Sequence, residues 1–234
     1  MVKHITHTKS HLKSLARFMQ ILDGSFPSGI FVHSFGLEPH VIKQKVYDIN
    51  SLKNYLENLI IDQYSKMEFV VVKKVYDALE RDKLPLVNKL DNTYSSFLTY
   101  EYAKASSDIG FNYYTQTKKL AKCQIIEKYY DLIKNKKTLG NEIVVLSCLA
   151  YDLNIDIEDF IVMWTKKNLV NIAVTTLKNT RIKPSDIQQM LFEFDDILEE
   201  IIFKNKENKI TNFNPLFEEI IFSHKNLEPK MFTT

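Results

Sequence analysis

Apolar residues recur at intervals of three and four along most of this chain, the period of an amphipathic helix. Leu12, Leu15, Ala16, Met19 and Leu22 share one face of a first predicted helix, which should stop at Asp23-Gly24. Ser51 is placed to cap a second, in which Leu52, Tyr55, Leu56, Leu59, Ile60 and Gln63 continue the stripe. Met67, Val70, Val71, Val75, Ala78 and Leu79 extend it or open another helix. The β-branched run Phe69-Val-Val-Val72 has the composition of a strand, yet no glycine or proline interrupts the chain between Pro39 and Pro85, which favours helix.

Asp91 is placed to cap a helix carrying Tyr94, Phe97, Leu98, Tyr102, Ala105 and Ile109, with Gly110 marking an interruption or tight packing. Helical patterns follow over 125–133, 142–153, 157–177 behind an Asp156 cap, and 187–203. Ser185-x-x-Gln188 has capping-box spacing, and Asn214-Pro215 reads as a cap followed by proline at the first helical position. The predicted class is all-α. With no internal repeat and no connection long enough to separate domains, residues 1–234 form one compact multi-helix domain, with 1–11 and the tail 224–234 as its mobile ends.

One stretch departs from the helical period. Three of the five glycines and two of the six prolines fall between Gly24 and Pro39. There the backbone needs conformations that only glycine adopts freely, or that proline fixes. Phe26, Phe31 and Phe35 are interleaved with His33, Ser34 and Glu38, a mixture suited to a shaped contact surface. The plainer reading is that the aromatics are core residues, Gly36 permits close packing, and the polar groups hold the turn together.

Composition narrows the function. Apolar residues make up 45% and charged residues 26%, the balance of a globular protein. The 31 basic residues nearly offset the 29 acidic ones, so no global field draws the chain to nucleic acid or anionic lipid. Lys118-Lys119-x-x-Lys122 and Lys134-x-Lys136-Lys137 are modest basic clusters that helix ends explain. A nucleic-acid-binding helical module is therefore the weaker alternative. Cys123 and Cys148 form no C-x-x-C and read as core thiols of a reducing compartment. Without an apolar h-region near the start, and with Ile143–Tyr151 as the longest nearly apolar run, a cytoplasmic protein without a membrane segment is expected.

Motifs for chemistry are few. The chain has no G-x-x-x-x-G-K-[ST], H-E-x-x-H, G-x-S-x-G or G-x-G-x-x-G, so phosphate loop, zinc protease, hydrolase elbow and dinucleotide fold lack their signatures. His33 and Ser34 are adjacent, and helical neighbours diverge by about 100 degrees, too far to act as a nucleophile and base within one helix. His4, His7 and His11 would share a helical face and are the candidate metal ligands, although a trio in a frayed terminus binds metal adventitiously more often than by design.

Phe26-Pro27-Ser28-Gly29-Ile30-Phe31-Val32-His33-Ser34-Phe35-Gly36-Leu37-Glu38 resembles the F-P-x-G-x-[FY]-x-H-S-x-G-L-E signature of the urease accessory protein F (UreF) family. The terminus His224-Lys-Asn-Leu227-Glu-Pro-Lys230-Met231-Phe232-Thr-Thr234 more loosely resembles that family's H-E-x-L-Y-S-R-L-[FY]-x-S. Several positions depart from the pattern. Glu101-Tyr-Ala-Lys-Ala-Ser106 and Gly110-Phe111 lack two family arginines, Arg181–Gln188 replaces a P-L-G-Q-[TS]-[DE]-x-Q stretch, and the tail exchanges Glu, Tyr, Ser and Arg for Lys225, Glu228, Pro229 and Lys230. Pro39 should kink or end any helix running on from the signature.

The resemblance implies a dimeric, all-α, non-enzymatic protein that helps assemble the nickel centre of urease. It would bridge a UreD/UreH-like accessory protein and a UreG-like GTPase on apo-urease, with nickel and GTP handled by those partners and no cofactor of its own. The residues implied in partner contacts or in the signature are Phe26, Pro27, Gly29, Phe31, His33, Ser34, Gly36, Leu37, Glu38, Leu227, Lys230, Met231 and Phe232. A direct arginine finger on the GTPase, from Arg17, Arg81 or Arg181, is the alternative, because arginine's planar fork is not reproduced by lysine.

Overall fold

The computed structural model of the protein describes residues 9–30, 33, 36–205, 207, 209–211 and 231–232. In chain order its helices are α1 (Lys9–Leu22), α2 (Leu37–Ile42), α3 (Ile49–Asn58), α4 (Glu68–Glu80), α5 (Leu84–Ser96), α6 (Tyr100–Thr117), α7 (Gln124–Lys134), α8 (Glu142–Asp152), α9 (Ile157–Thr175) and α10 (Pro184–Lys204). A π-helical turn, Leu59–Tyr64, prolongs α3, and 3₁₀ turns follow α6 and α9. The class is all-α, and no strand occurs among the described residues.

The apolar run 143–151 became α8, which is apolar on every side because α4, α5, α6, α7 and α9 all pack against it. Every residue from Glu142 to Ala150 is buried. Phe69–Val72 lies in the first turn of α4, buried against α8 and α9, so burial on several sides and not strand pairing accounts for its composition. Cys148 is buried and Cys123 half-buried, both as free thiols. Among the described residues no helix is long and apolar enough to cross a membrane.

Several element ends differ from the sequence reading. In α1 the buried face is Phe18, Ile21 and Leu22; of the predicted stripe Leu22 is buried and Leu15 half-buried, whereas Leu12, Ala16 and Met19 face outward, so the period holds and the phase is shifted over most of the helix. Asp48, not Ser51, caps α3. Its carboxylate accepts from Ser51 N at 2.8 Å and the Ser51 hydroxyl accepts from Asp48 N at 3.0 Å, a reciprocal box. Asp91 caps nothing. It lies inside α5, which starts at Leu84 with Pro85 in its first turn, and the expected single helix is divided at Phe97–Thr99, where the Thr99 hydroxyl accepts from Tyr102 N at 3.4 Å. Ser185 sits within the first turn of α10, because Pro184 already begins that helix. Asn214-Pro215 lies outside the described residues.

Buried polar groups close the remaining ends. The Asp91 carboxylate accepts from Thr138 Oγ1 at 2.6 Å, Gly140 N at 2.7 Å, Asn141 N at 2.9 Å and Asn141 Nδ2 at 2.8 Å, clamping the loop between α7 and α8. Asp152 accepts from Lys122 N and Cys123 N, each at 2.8 Å, and so satisfies donors ahead of α7 from the end of α8.

Candidate functional site

The glycine-rich turn is built first by its own backbone. Ser25 N donates to Asp23 Oδ1 at 2.8 Å, Phe26 N to the Asp23 carbonyl at 3.0 Å and Ser28 N to the Phe26 carbonyl at 2.6 Å, a tight coil leaving α1. Gly29 has φ of +81° and Gly36 of +86°, left-handed values that side chains disfavour. A Cβ on Gly29 would also stand 3.1 Å from Asn112 Nδ2. That nitrogen donates to the Ser28 carbonyl at 3.0 Å, and Phe26 stacks on Tyr113 with ring centroids 5.4 Å apart, so α6 carries the turn.

Pro39 is accommodated without distorting a helix. Because α2 begins at Leu37, the proline falls in its first turn, where no intrahelical donor is needed. His40 Nδ1 donates back to the Gly36 carbonyl at 2.7 Å and its ring meets Tyr55 edge-on at 4.9 Å. Burial, opposed by the Gly36 hydrogen bond and aided by Lys43 and Lys45, pulls the His40 pKa down to about 4, so the ring is neutral at pH 7.

His33 is buried beneath the turn. Burial lowers its pKa, while the charges of Asp108 and Glu142 oppose the shift, placing the signature histidine near the start of α8. There Glu142 forms a buried ion pair with Lys167 of α9, whose Nζ also lies 5.7 Å from the Tyr113 ring centroid. Burial works against the Lys167 charge, but Glu142 and Tyr113 outweigh it and hold its pKa above the ordinary lysine value. One polar cluster thus underlies the turn from three helices.

The other end of the chain arrives at the same place. Glu38, buried in the first turn of α2, accepts from Met231 N at 2.7 Å and Phe232 N at 3.2 Å. Phe232 is buried, with Lys178 Nζ 4.9 Å above its ring, while Met231 stays 54% exposed. The two segments singled out in the sequence therefore meet through a carboxylate binding two successive backbone N–H groups. Residues 231–232, read as part of a mobile tail, are seated here.

Of the remaining predicted residues, Leu37 is buried and Pro27 exposed. Phe31, Ser34, Leu227, Lys230, His4 and His7 lie outside the described residues, and His11 is half-buried on α1. Among the described residues no three histidine, cysteine or acidic side chains gather as a metal site. Arg17 is half-buried, Arg181 is exposed, and Arg81 pairs with Asp77 at 2.7 Å. Asn112, Tyr113, Glu142, Lys167 and Lys178 were missed by the sequence reading. Lys167 had a signal, since it stands seven residues beyond Phe160 on the buried phase of α9, where an unpaired charge is not tolerated.

This arrangement defines an all-helical protein in which a shaped turn, fixed from below by buried polar groups, is joined to the chain's own tail. A family model described as UreF matches residues 46–195, from just before α3 into α10. The urease accessory protein UreF of Bacillus sp. (strain TB-90) is 27% identical over 190 residues, covering 81% of this chain and 84% of that protein. Its counterpart in Ureaplasma parvum serovar 3 is 25% identical over 194 residues, covering 80% and 83%. That of Ureaplasma urealyticum serovar 10 is 26% identical over the same length, 194 residues. The chain belongs to the UreF family of urease accessory proteins.

Proposed function

We propose that this protein is a non-enzymatic scaffold of urease maturation. In the cytoplasm it acts as a homodimer that bridges a UreD/UreH-like accessory protein to a UreG-like GTPase and presents both to apo-urease. Nickel is cargo and GTP is the GTPase's substrate; this chain holds neither as a cofactor. Its contribution is to fix the relative placement of its partners.

The observation that carries this reading is the junction at Glu38. Family-like segments from opposite ends of the chain are bound together there by two main-chain hydrogen bonds, with Met231 exposed beside them. A carboxylate committed to two N–H donors is a structural clamp, and His33 is buried within the turn, where the charge of Glu142, the acid paired with Lys167, is felt. The outward Leu12 and Met19 on α1 supply apolar surface of the kind that partners cover.

Co-expression of urease subunits and the other accessory proteins, with and without this chain, tests the role. Urease activity and bound nickel should both be higher when the chain is present. Equal values in the two cultures would overturn the proposal.

A further inference from the structure

Between α4 and α5 lies an open groove of about 520 Å³. Leu86 and Leu90, four residues apart on α5, together with Phe97 and Ile210 supply its apolar lining. Leu86 is 38% exposed despite its size. Lys74, Lys89 and Lys209 reach the groove from three separate segments. None of them forms an ion pair among the described residues, and the lining acid, Asp77, is already neutralised by Arg81 at 2.7 Å. Among the described residues, the groove therefore joins an apolar strip to three positive charges without an ion-pair partner, on a chain whose total charge is only +2.

We propose that this groove is a docking site for an acidic amphipathic helix of a partner protein. Leucine-like residues three or four apart would lie on Leu86, Leu90 and Ile210, while flanking glutamates or aspartates meet the lysines. Charge complementarity selects this occupant. A basic helix would be repelled, and nucleic-acid phosphates would leave the apolar strip uncovered. Lysines at such a rim raise the rate of encounter and make binding salt-sensitive.

The test uses the full chain, ¹⁵N-labelled, and a synthetic helical peptide with leucine at every third or fourth position and glutamate elsewhere. Saturable shifts of backbone amides in α4, α5 and around Ile210 are expected, with affinity falling about tenfold or more in the double variant Lys74→Glu/Lys89→Glu. Lys89→Arg should retain binding. Lys89 is exposed and Lys74 half-buried, and circular dichroism checks that the double variant keeps its helical fold. The proposal is overturned if a peptide with lysine in place of glutamate binds equally well, if shifts map elsewhere or are absent, or if a single-stranded oligonucleotide competes with equal affinity. Concentration-dependent shifts of the same amides without peptide would also overturn it, by assigning the groove to a second copy of this chain.

Discussion

Glu68, fully buried where α4 begins, accepts from Gln63 Nε2 at 2.9 Å and Tyr94 Oη at 3.1 Å on one carboxylate oxygen, while the other has no hydrogen-bond partner among the described residues. Burial raises its pKa to about 7 from 4.5, against the opposing bonds from Gln63 and Tyr94 and with the aid of Glu142. Because the folded value lies above the unfolded one, the contribution to stability is fully present below pH 4.5 and is lost as pH rises towards 7. The loss amounts to about 3 kcal/mol. Glu68→Gln keeps an acceptor for both donors but cannot ionise. Urea denaturation at pH 5 and pH 8 should show a smaller stability difference for the variant than for the native chain, and equal differences would refute the assignment. Little of this was legible in the sequence. Glu68 stands out by no spacing or motif, and Asp91 reads as a cap, because periodicity does not reveal which acidic side chain is buried by its neighbours.

At the scale of elements, the sequence identified most helices but misplaced several ends. Capping residues satisfy donors through space as well as along the chain, so Asp152 serves α7 from α8 while Asp91, a plausible cap by spacing, holds a loop about 50 residues away. Gly110 was read as an interruption or a tight contact, and α6 runs through it unbroken. The contact is severe: an added Cβ would fall 1.9 Å from the Gly140 carbonyl oxygen and 2.7 Å from Glu142 N. Gly110→Ala should therefore push α6 off the loop that leads into α8, with a loss of about 2–4 kcal/mol in urea denaturation. An unchanged midpoint would show that the backbone yields there. The phase error in α1 has a similar origin. Two apolar stripes of the same period run along that helix, and the seat offered by α9 selects Phe18 and Ile21 over Leu12 and Met19.

Across the whole molecule, the junction of the two chain ends is the feature that sequence order conceals. Glu38 and the pair Met231–Phe232 are 193 and 194 positions apart, yet one carboxylate binds both amides. Glu38→Ala removes both acceptors. Hydrogen exchange at the Met231 and Phe232 amides should accelerate by about tenfold or more, as expected for loss of charged hydrogen bonds of roughly 1.5–3 kcal/mol, while α8 amides stay protected. Unchanged exchange at the tail would show that Phe232 burial alone seats it. The sequence by itself determined the helical class, the exceptional glycine turn and the family likeness, because helical period and left-handed backbone demands are local properties written in consecutive residues. Only the tertiary structure decided which apolar face turns inward, where helices end, and that Glu38, the tail, His33 and the Glu142–Lys167 pair belong to two adjoining supports of one turn. Those outcomes depend on burial and on partners distant in the chain, and no spacing along a single strand of sequence encodes them.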